Sequence, residues 1–250
     1  MPTLKVSIPA DDGLQLSGRL ELPDGEPEIF AIFSHCFTCT KDVMAAYRIS
    51  KNLASLGIAT LRYDFGGLGD SDGEFVDTCF SSNMRDLQAA AAFLDKEYAA
   101  PNALVGHSMG GTVSLAVASD IDSVRCVATI ASPSQPSHVL HHFTDAIAIL
   151  NTGKNTEIKV GGQMYEVAPI FVDDILQHDI EHTLAASDKP ALIFRVEGDD
   201  IVAAANADDI VGWAADGSRI VDLDSTDHLI SDRQTAMSIA EQIAGFIRQH

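Results

Sequence analysis

The stretch ALVGHSMGG, residues 103–111, passes through three apolar residues and then into a glycine-rich turn with one hydroxyl, that of Ser108, at its centre. An apolar run that ends at glycine reads as a buried strand, and the apolar residues over 110–119 read as a buried helix. Gly106 and Gly110 flank Ser108 at a spacing of two, which an ordinary surface turn does not need. A sharp bend from strand to helix does need it. Without side chains at those two positions, neighbouring backbones pass closely, and the serine is lifted above the carboxyl edge of the strand. Such a bend presupposes a parallel sheet, so the rest of the chain has to supply one.

It does so by alternation. Apolar strand-like runs occur at 29–35, 58–64, 102–108, 124–131, 191–197 and 218–224, and helical periodicity fills 43–57, 82–97, 110–119, 203–215 and 232–248 between and after them. Strands alternating with helices imply an α/β fold with a doubly wound, mostly parallel sheet. Residues 4–8 and 15–20 alternate apolar and polar around DDG (11–13), the pattern of an antiparallel edge hairpin. The rhythm breaks between 133 and 188. There VLHHFTDAIAIL (139–150) reads as an amphipathic helix, and EIKVGGQMYEV (157–167) as a hairpin turning on Gly161-Gly162. FVDDILQHDIEHTL (171–184) reads as a second helix. We therefore expect one domain over 1–250 with a small cap, about 133–188, inserted after the sixth strand.

Composition narrows the partners. A chain of 250 residues with 46% hydrophobic and 21% charged residues is long enough for a large core, and no apolar run reaches membrane-spanning length. The net charge of −20 repels nucleic acid and anionic membranes at long range. A small neutral molecule is the expected partner, and the cytoplasm the expected location. Four cysteines, Cys36, Cys39, Cys79 and Cys126, are too few for a disulfide scaffold, so reduced thiols are expected. The Cys36-x-x-Cys39 spacing invites a redox reading, but no thioredoxin-like order of elements surrounds it. Neither metal nor cofactor is expected. HDIEH (178–182) places Asp179 after His178 where a zinc-protease helix needs glutamate, and DFGGLGDSDG (64–73) lacks the dinucleotide glycine spacing.

A serine hydroxyl is a weak nucleophile near neutral pH, so Ser108 requires a base and a carboxylate that orients the base. His228, in DLDSTDHLISD (222–232), follows the last strand and is the candidate base. Asp199, in RVEGDDIVAAANA (195–207), follows the preceding strand and is the candidate acid, with Asp200 as its rival. His107 adjoins the nucleophile and points away from it, so packing beside the bend is its expected role. Charge on a reacting carbonyl oxygen needs N–H donors; those of Met109, at a helix start, and Phe37, in SHCFTCTKD (34–42), are the candidates.

The order Ser, Asp, His, together with SHCFTCTKD, RYDFGGLGDSDGEF, GHSMGG, EGDDIV and DHLISD, resembles the α/β-hydrolases of the serine esterase type along essentially the whole chain. HCFTC, KVGGQMYEV and DHLISD are more narrowly similar to the hydrolase domains often fused to OsmC-like peroxide reductase domains. In that pattern the acid opens an Asp-x-x-Val unit, here Asp199 to Val202, which favours Asp199 over Asp200. Two departures stand out: His35-Cys36 replaces the His-Gly of many relatives, and no OsmC-like half is present. The resemblance implies a serine hydrolase that cleaves short to medium carboxylic esters through an acyl-enzyme. Thioester cleavage or acyl transfer on the same three residues is the enzymatic alternative. A hydrolase-like binding module that has lost turnover is the non-enzymatic one.

Overall fold

The computed structural model describes residues 1–10, 13–224 and 226–250, so Asp11 and Asp12 of the expected edge turn, and Ser225 in the loop before His228, lie outside the described residues. Strands β1 (Thr3–Pro9), β2 (Gln15–Glu21), β3 (Ile29–Ser34), β4 (Ile58–Tyr63), β5 (Ala103–His107) and β6 (Cys126–Ile130) precede the excursion. The hairpin strands β7 (Thr156–Val160) and β8 (Gln163–Val167) lie within it, and β9 (Ala191–Val196) and β10 (Arg219–Leu223) follow. The helices are α1 (Met44–Ser55), α2 (Phe80–Glu97), α3 (Met109–Val117), α4 (Thr144–Leu150), α5 (Pro169–Ile175), α6 (Ile180–Ala185), α7 (Ala205–Trp213) and α8 (Arg233–Ile247).

Eight strands form one sheet in the order β1-β2-β4-β3-β5-β6-β9-β10. β2 runs antiparallel to both β1 and β4, and every other neighbouring pair is parallel. This is the mostly parallel sheet that the alternation of runs implies, in the α/β-hydrolase architecture that the resemblance implies. Its centre explains the continuous apolar runs: β3, β4, β5 and β6 are covered on both faces, so residues of either parity avoid water. Along β3, Phe30 and Ile32 enter a core closed by α2, α3, α7 and the excursion, whereas Ala31 and Phe33 enter one closed by α1 and α8. The period of two thus sorts one strand between two layers.

The excursion between β6 and β9 contains α4, the β7–β8 hairpin, α5 and α6. Gly161 and Gly162 take φ of 58° and 84°, the left-handed pair that a two-residue hairpin turn requires. Two details differ from expectation. Residues 136–143 form a 3₁₀ segment that leads into α4, so the first helical stretch is tighter at its start. The second is split: α5 ends at Ile175, and the Asp179 carboxylate caps the start of α6 by accepting the His182 N–H at 3.2 Å. Among the described residues, no helix is long and apolar enough to cross a membrane.

Candidate active site

β5 ends at His107 and α3 begins at Met109, which leaves Ser108 alone to turn the chain, with φ 52° and ψ −125°. A side chain in that region costs on the order of 1–3 kcal/mol and persists only where its surroundings enforce it. They do so here. A Cβ on Gly106 would collide with the backbone of Gly110 and Gly111, and one on Gly110 would collide with the carbonyl groups of Ser34 and His35. The Ser108 N–H donates to Ile130 O at 2.8 Å, which fixes the bend to β6. The N–H of Met109 lies in the first turn of α3, where amides have no intrahelical acceptor.

The loops after β9 and β10 meet at this edge. Asp199 Oδ2 accepts from His228 Nδ1 at 2.8 Å, and Asp199 Oδ1 accepts the N–H groups of Ile201 and Val202 at 2.8 and 3.1 Å. The Asp199 side chain is 1% exposed and that of His228 11%, whereas Asp200 is exposed. Burial alone would raise the Asp199 pKa; the His228 hydrogen bond and the two amides outweigh it and hold the carboxyl below its ordinary value. Because Nδ1 faces the carboxylate, Nε2 is the His228 nitrogen left for chemistry. His107 ties this loop to the strand carrying the serine: its Nε2 donates to His228 O at 2.7 Å. Burial, with His228 beside it, pushes the His107 pKa down to about 4, so the ring stays neutral and adds no charge next to His228. The buried Ile230 anchors the far side of the loop.

The β3–α1 loop brings Phe37 to the same edge, where Phe37 and Met109 line one cleft. Its make-up corrects an expectation: Cys36 and Cys39 form a disulfide rather than free thiols. Their Cα atoms, three residues apart in sequence, are 5.3 Å apart across a tight turn, and this proximity pairs them. The Cys39 N–H donates to Cys36 O at 3.1 Å and Thr38 takes φ of 57°, so Phe37 and Thr38 are the two central residues of a cross-linked turn. Cys79 and Cys126 are free and buried, and burial pushes the Cys126 thiol up to about 12.

Three groups that the sequence analysis left without a role hold that turn. His35 accepts the Phe65 N–H at Nε2 (3.2 Å) and donates from Nδ1 to Cys36 O (2.8 Å), a neutral ring whose pKa burial lowers to about 4. Lys41, 1% exposed, donates from Nζ to Asp64 Oδ2 at 2.6 Å and to Asp70 Oδ2 at 2.8 Å, while its N–H donates to Asp64 Oδ1. Burial works against the lysine charge, but these carboxylates hold its pKa above the ordinary value. Arg62 donates to Lys41 O at 2.7 Å and pairs with the buried Glu21. From sequence the signal was charge inside otherwise apolar strands, RYD at the end of β4 being the clearest.

A second serine has histidine and aspartate neighbours. Ser81, in the first turn of α2, donates to Asp174 Oδ1 at 2.5 Å and lies 3.0 Å from His178 Nε2. The carboxylate takes the hydroxyl proton directly and also accepts the Ser81 N–H, so this cluster ties α2 to α5 and its connection to α6. It gives the His178 ring its partners, Ser81 and Asp174.

Comparison with known proteins bears on the family and the fold. Residues 32–243 match the family model described as serine aminopeptidase, S33. The esterase domain of a Rhodothermus marinus protein is 34% identical, with a TM-score of 0.81, over 100% of this chain and 99% of that one. Est1E of Butyrivibrio proteoclasticus, in complex with ferulic acid, shares the fold at 20% identity and a TM-score of 0.79, over 97% and 99%. A monoglyceride lipase homologue of Monkeypox virus is 33% identical over 142 residues, 52% of this chain and 51% of the relative. The chain thus spans about half the length of that curated relative.

Proposed function

Because the chain belongs to the S33 serine aminopeptidase family of serine hydrolases, we propose that it cleaves short to medium carboxylic esters by nucleophilic catalysis at Ser108. The observation that carries this reading is the Asp199–His228 pair, joined at 2.8 Å and tethered to His107, the residue before the serine. His228 Nε2 takes the Ser108 proton as Oγ attacks the ester carbonyl, and the N–H groups of Phe37 and Met109 receive the oxyanion. Collapse of that intermediate expels the alcohol, which leaves with the proton from His228. A water molecule, deprotonated by the same nitrogen, then releases the acid and restores Ser108. Asp199 holds the imidazole in the tautomer this sequence needs and stabilises its charged form. The Cys36–Cys39 turn and the Lys41–Asp64 pair keep the Phe37 amide in place.

An ester is favoured over the free amino terminus of a peptide. Recognition of an ammonium group needs a carboxylate facing it, and the described cleft wall carries none. The test compares p-nitrophenyl acetate or butyrate with aminoacyl p-nitroanilides. Rapid ester turnover that is abolished in Ser108→Ala supports the proposal, and turnover confined to the aminoacyl substrates refutes the ester assignment.

A further inference from the structure

The hairpin of the excursion reaches into the loop that carries the Phe37 amide. Along β8 the side chains alternate, so Met164 and Glu166 face solvent while Tyr165 and Val167 turn toward the body of the protein. Tyr165 stands opposite the buried Ile158 of β7, and its ring packs on that of Phe75 with centroids 4.9 Å apart. From there its hydroxyl donates to Thr38 O at 3.1 Å, a bond between residues 127 positions apart.

That carbonyl belongs to the peptide unit that closes the cross-linked turn. The N–H of the same unit is that of Cys39, which donates to Cys36 O at 3.1 Å. Cys36 O in turn shares its peptide unit with the Phe37 N–H, and among the described residues that N–H has no acceptor within the protein. The links run in one direction: Tyr165 O–H to Thr38 O, Cys39 N–H to Cys36 O, and Phe37 N–H outward. Each donor in such a chain polarises the peptide unit it contacts and makes that unit's N–H a stronger donor.

The bond also fixes a conformation. Thr38 takes φ of 57°, which a threonine holds only where its surroundings enforce it. The disulfide joins the ends of the turn at Cys36 and Cys39 and leaves the plane of the Thr38–Cys39 peptide free to tilt. The phenol holds that plane. Thr38 is on the wall of the cleft that Phe37 and Met109 line, and Tyr165 is not, so Tyr165 acts through the backbone. Gln163 Oε1 lies 3.0 Å from the same hydroxyl, which has a single proton to give. Gln163 is exposed and finds water in place of the phenol, whereas Thr38 is half-buried.

Resting on the ester-hydrolase reading above, we propose that Tyr165 is a positioning residue for the reaction: through the Thr38 carbonyl it sets the orientation and strength of the Phe37 oxyanion donor, so the hairpin contributes to transition-state stabilisation.

The experiment compares the wild-type full chain with Tyr165→Phe, which removes one hydroxyl and keeps the ring on Phe75, and with Gln163→Ala, which removes the competing acceptor. kcat and KM for p-nitrophenyl acetate are measured beside Ki for butylboronic acid, whose tetrahedral serine adduct places an oxygen on the oxyanion donors. Tyr165→Phe is expected to lower kcat and raise Ki by about fivefold each, the scale of one neutral hydrogen bond, with KM within about twofold. KM stays because acylation and deacylation use the same donors and slow together. Gln163→Ala, at an exposed position, is expected to leave all three within about twofold. KM and Ki do not depend on the folded fraction of a preparation, so partial misfolding does not imitate this pattern. Values of kcat and Ki near wild type in Tyr165→Phe, a fall in kcat that Ki does not follow, or a rise in KM alone overturns the role of Tyr165, while wild-type acetate hydrolysis still supports the hydrolase reading. An equal loss in Gln163→Ala overturns it too, because the bond that matters would then be the one to Gln163. If the wild type does not cleave the acetate ester, the hydrolase reading falls and takes the positioning role with it.

Discussion

Acidification from pH 7.5 to 5.0 perturbs two buried imidazoles that frame the site. His35 and His107 have pKa values lowered by burial from 6.5 to about 4. The unfolded chain therefore takes up a proton on each of them below pH 6.5, whereas the folded chain does not until about pH 4. Between those limits the unfolded state binds more protons, so their contribution to stability falls as the pH falls and is unaffected above 6.5. Each unit of pH costs about 1.4 kcal/mol per imidazole. At pH 5.0 this amounts to about 2 kcal/mol for each ring and about 4 kcal/mol for both, a large share of the typical 5–15 kcal/mol for a folded domain. The carboxyls held below their ordinary values, Asp199, Asp174 and Glu21, act in a different window. Their stabilisation is full above the unfolded carboxyl pKa of about 4 and is lost only below it. Urea unfolding at pH 7.5, 6.0 and 5.0 measures the effect. His107→Gln retains a donor for His228 O but cannot titrate, and it is expected to reduce the loss at pH 5.0 by about half. A stability that stays flat between pH 7.5 and 5.0, or a slope identical in wild type and His107→Gln, refutes the reasoning.

Three further outcomes are expected. Ser108→Ala, His228→Ala and Asp199→Asn each lower kcat for a short p-nitrophenyl ester by about a thousandfold or more, as residues that act as a unit do; Asp200→Asn, at an exposed position, changes it little, and the reverse pattern would reassign the acid. Closing a four-residue loop by a cross-link stabilises by about 2 kcal/mol on the chain-entropy model. Cys39→Ser is thus expected to lower Tm by about 4 °C and kcat by less than about tenfold, because the Cys39 N–H and Lys41 still hold the turn; a loss beyond a hundredfold would make the disulfide itself the determinant of the donor geometry. In an acyl-length series, acetyl to hexanoyl esters are expected to outrun palmitoyl ones, because the excursion between β6 and β9 is too small to enclose a long chain, and equal rates on long chains would refute that expectation.

The parts that were legible in sequence are those with a local signature. The strand–turn–helix bend at Ser108 follows from glycines that collide with the neighbouring backbone if enlarged. The hairpin at Gly161-Gly162 and the loops carrying Asp199 and His228 are likewise marked by turn residues beside apolar runs. What escaped depends on partners far apart in the chain. Lys41 and Asp64 are 23 positions apart and Ser81 and Asp174 are 93 apart, and nothing in the residues near either partner announces the other. The Cys36–Cys39 link escaped for another reason: the spacing allows a thiol pair or a disulfide, and the turn geometry decides between them. The break between α5 and α6 was hidden because apolar periodicity continues through residues 171–184 while Asp179 caps the second helix.

Covalent labelling tests the central claim most directly. Ser81, at the start of α2, touches a histidine and an aspartate, whereas Ser108 stands at the strand–helix bend beside the N–H groups that open α3. Treatment of the folded protein with a fluorophosphonate, followed by intact mass measurement and peptide mapping, is predicted to give one adduct per chain, on Ser108, that is absent in Ser108→Ala and strongly slowed in His228→Ala. No adduct, or an adduct on Ser81, would contradict the assignment of Ser108 as the nucleophile.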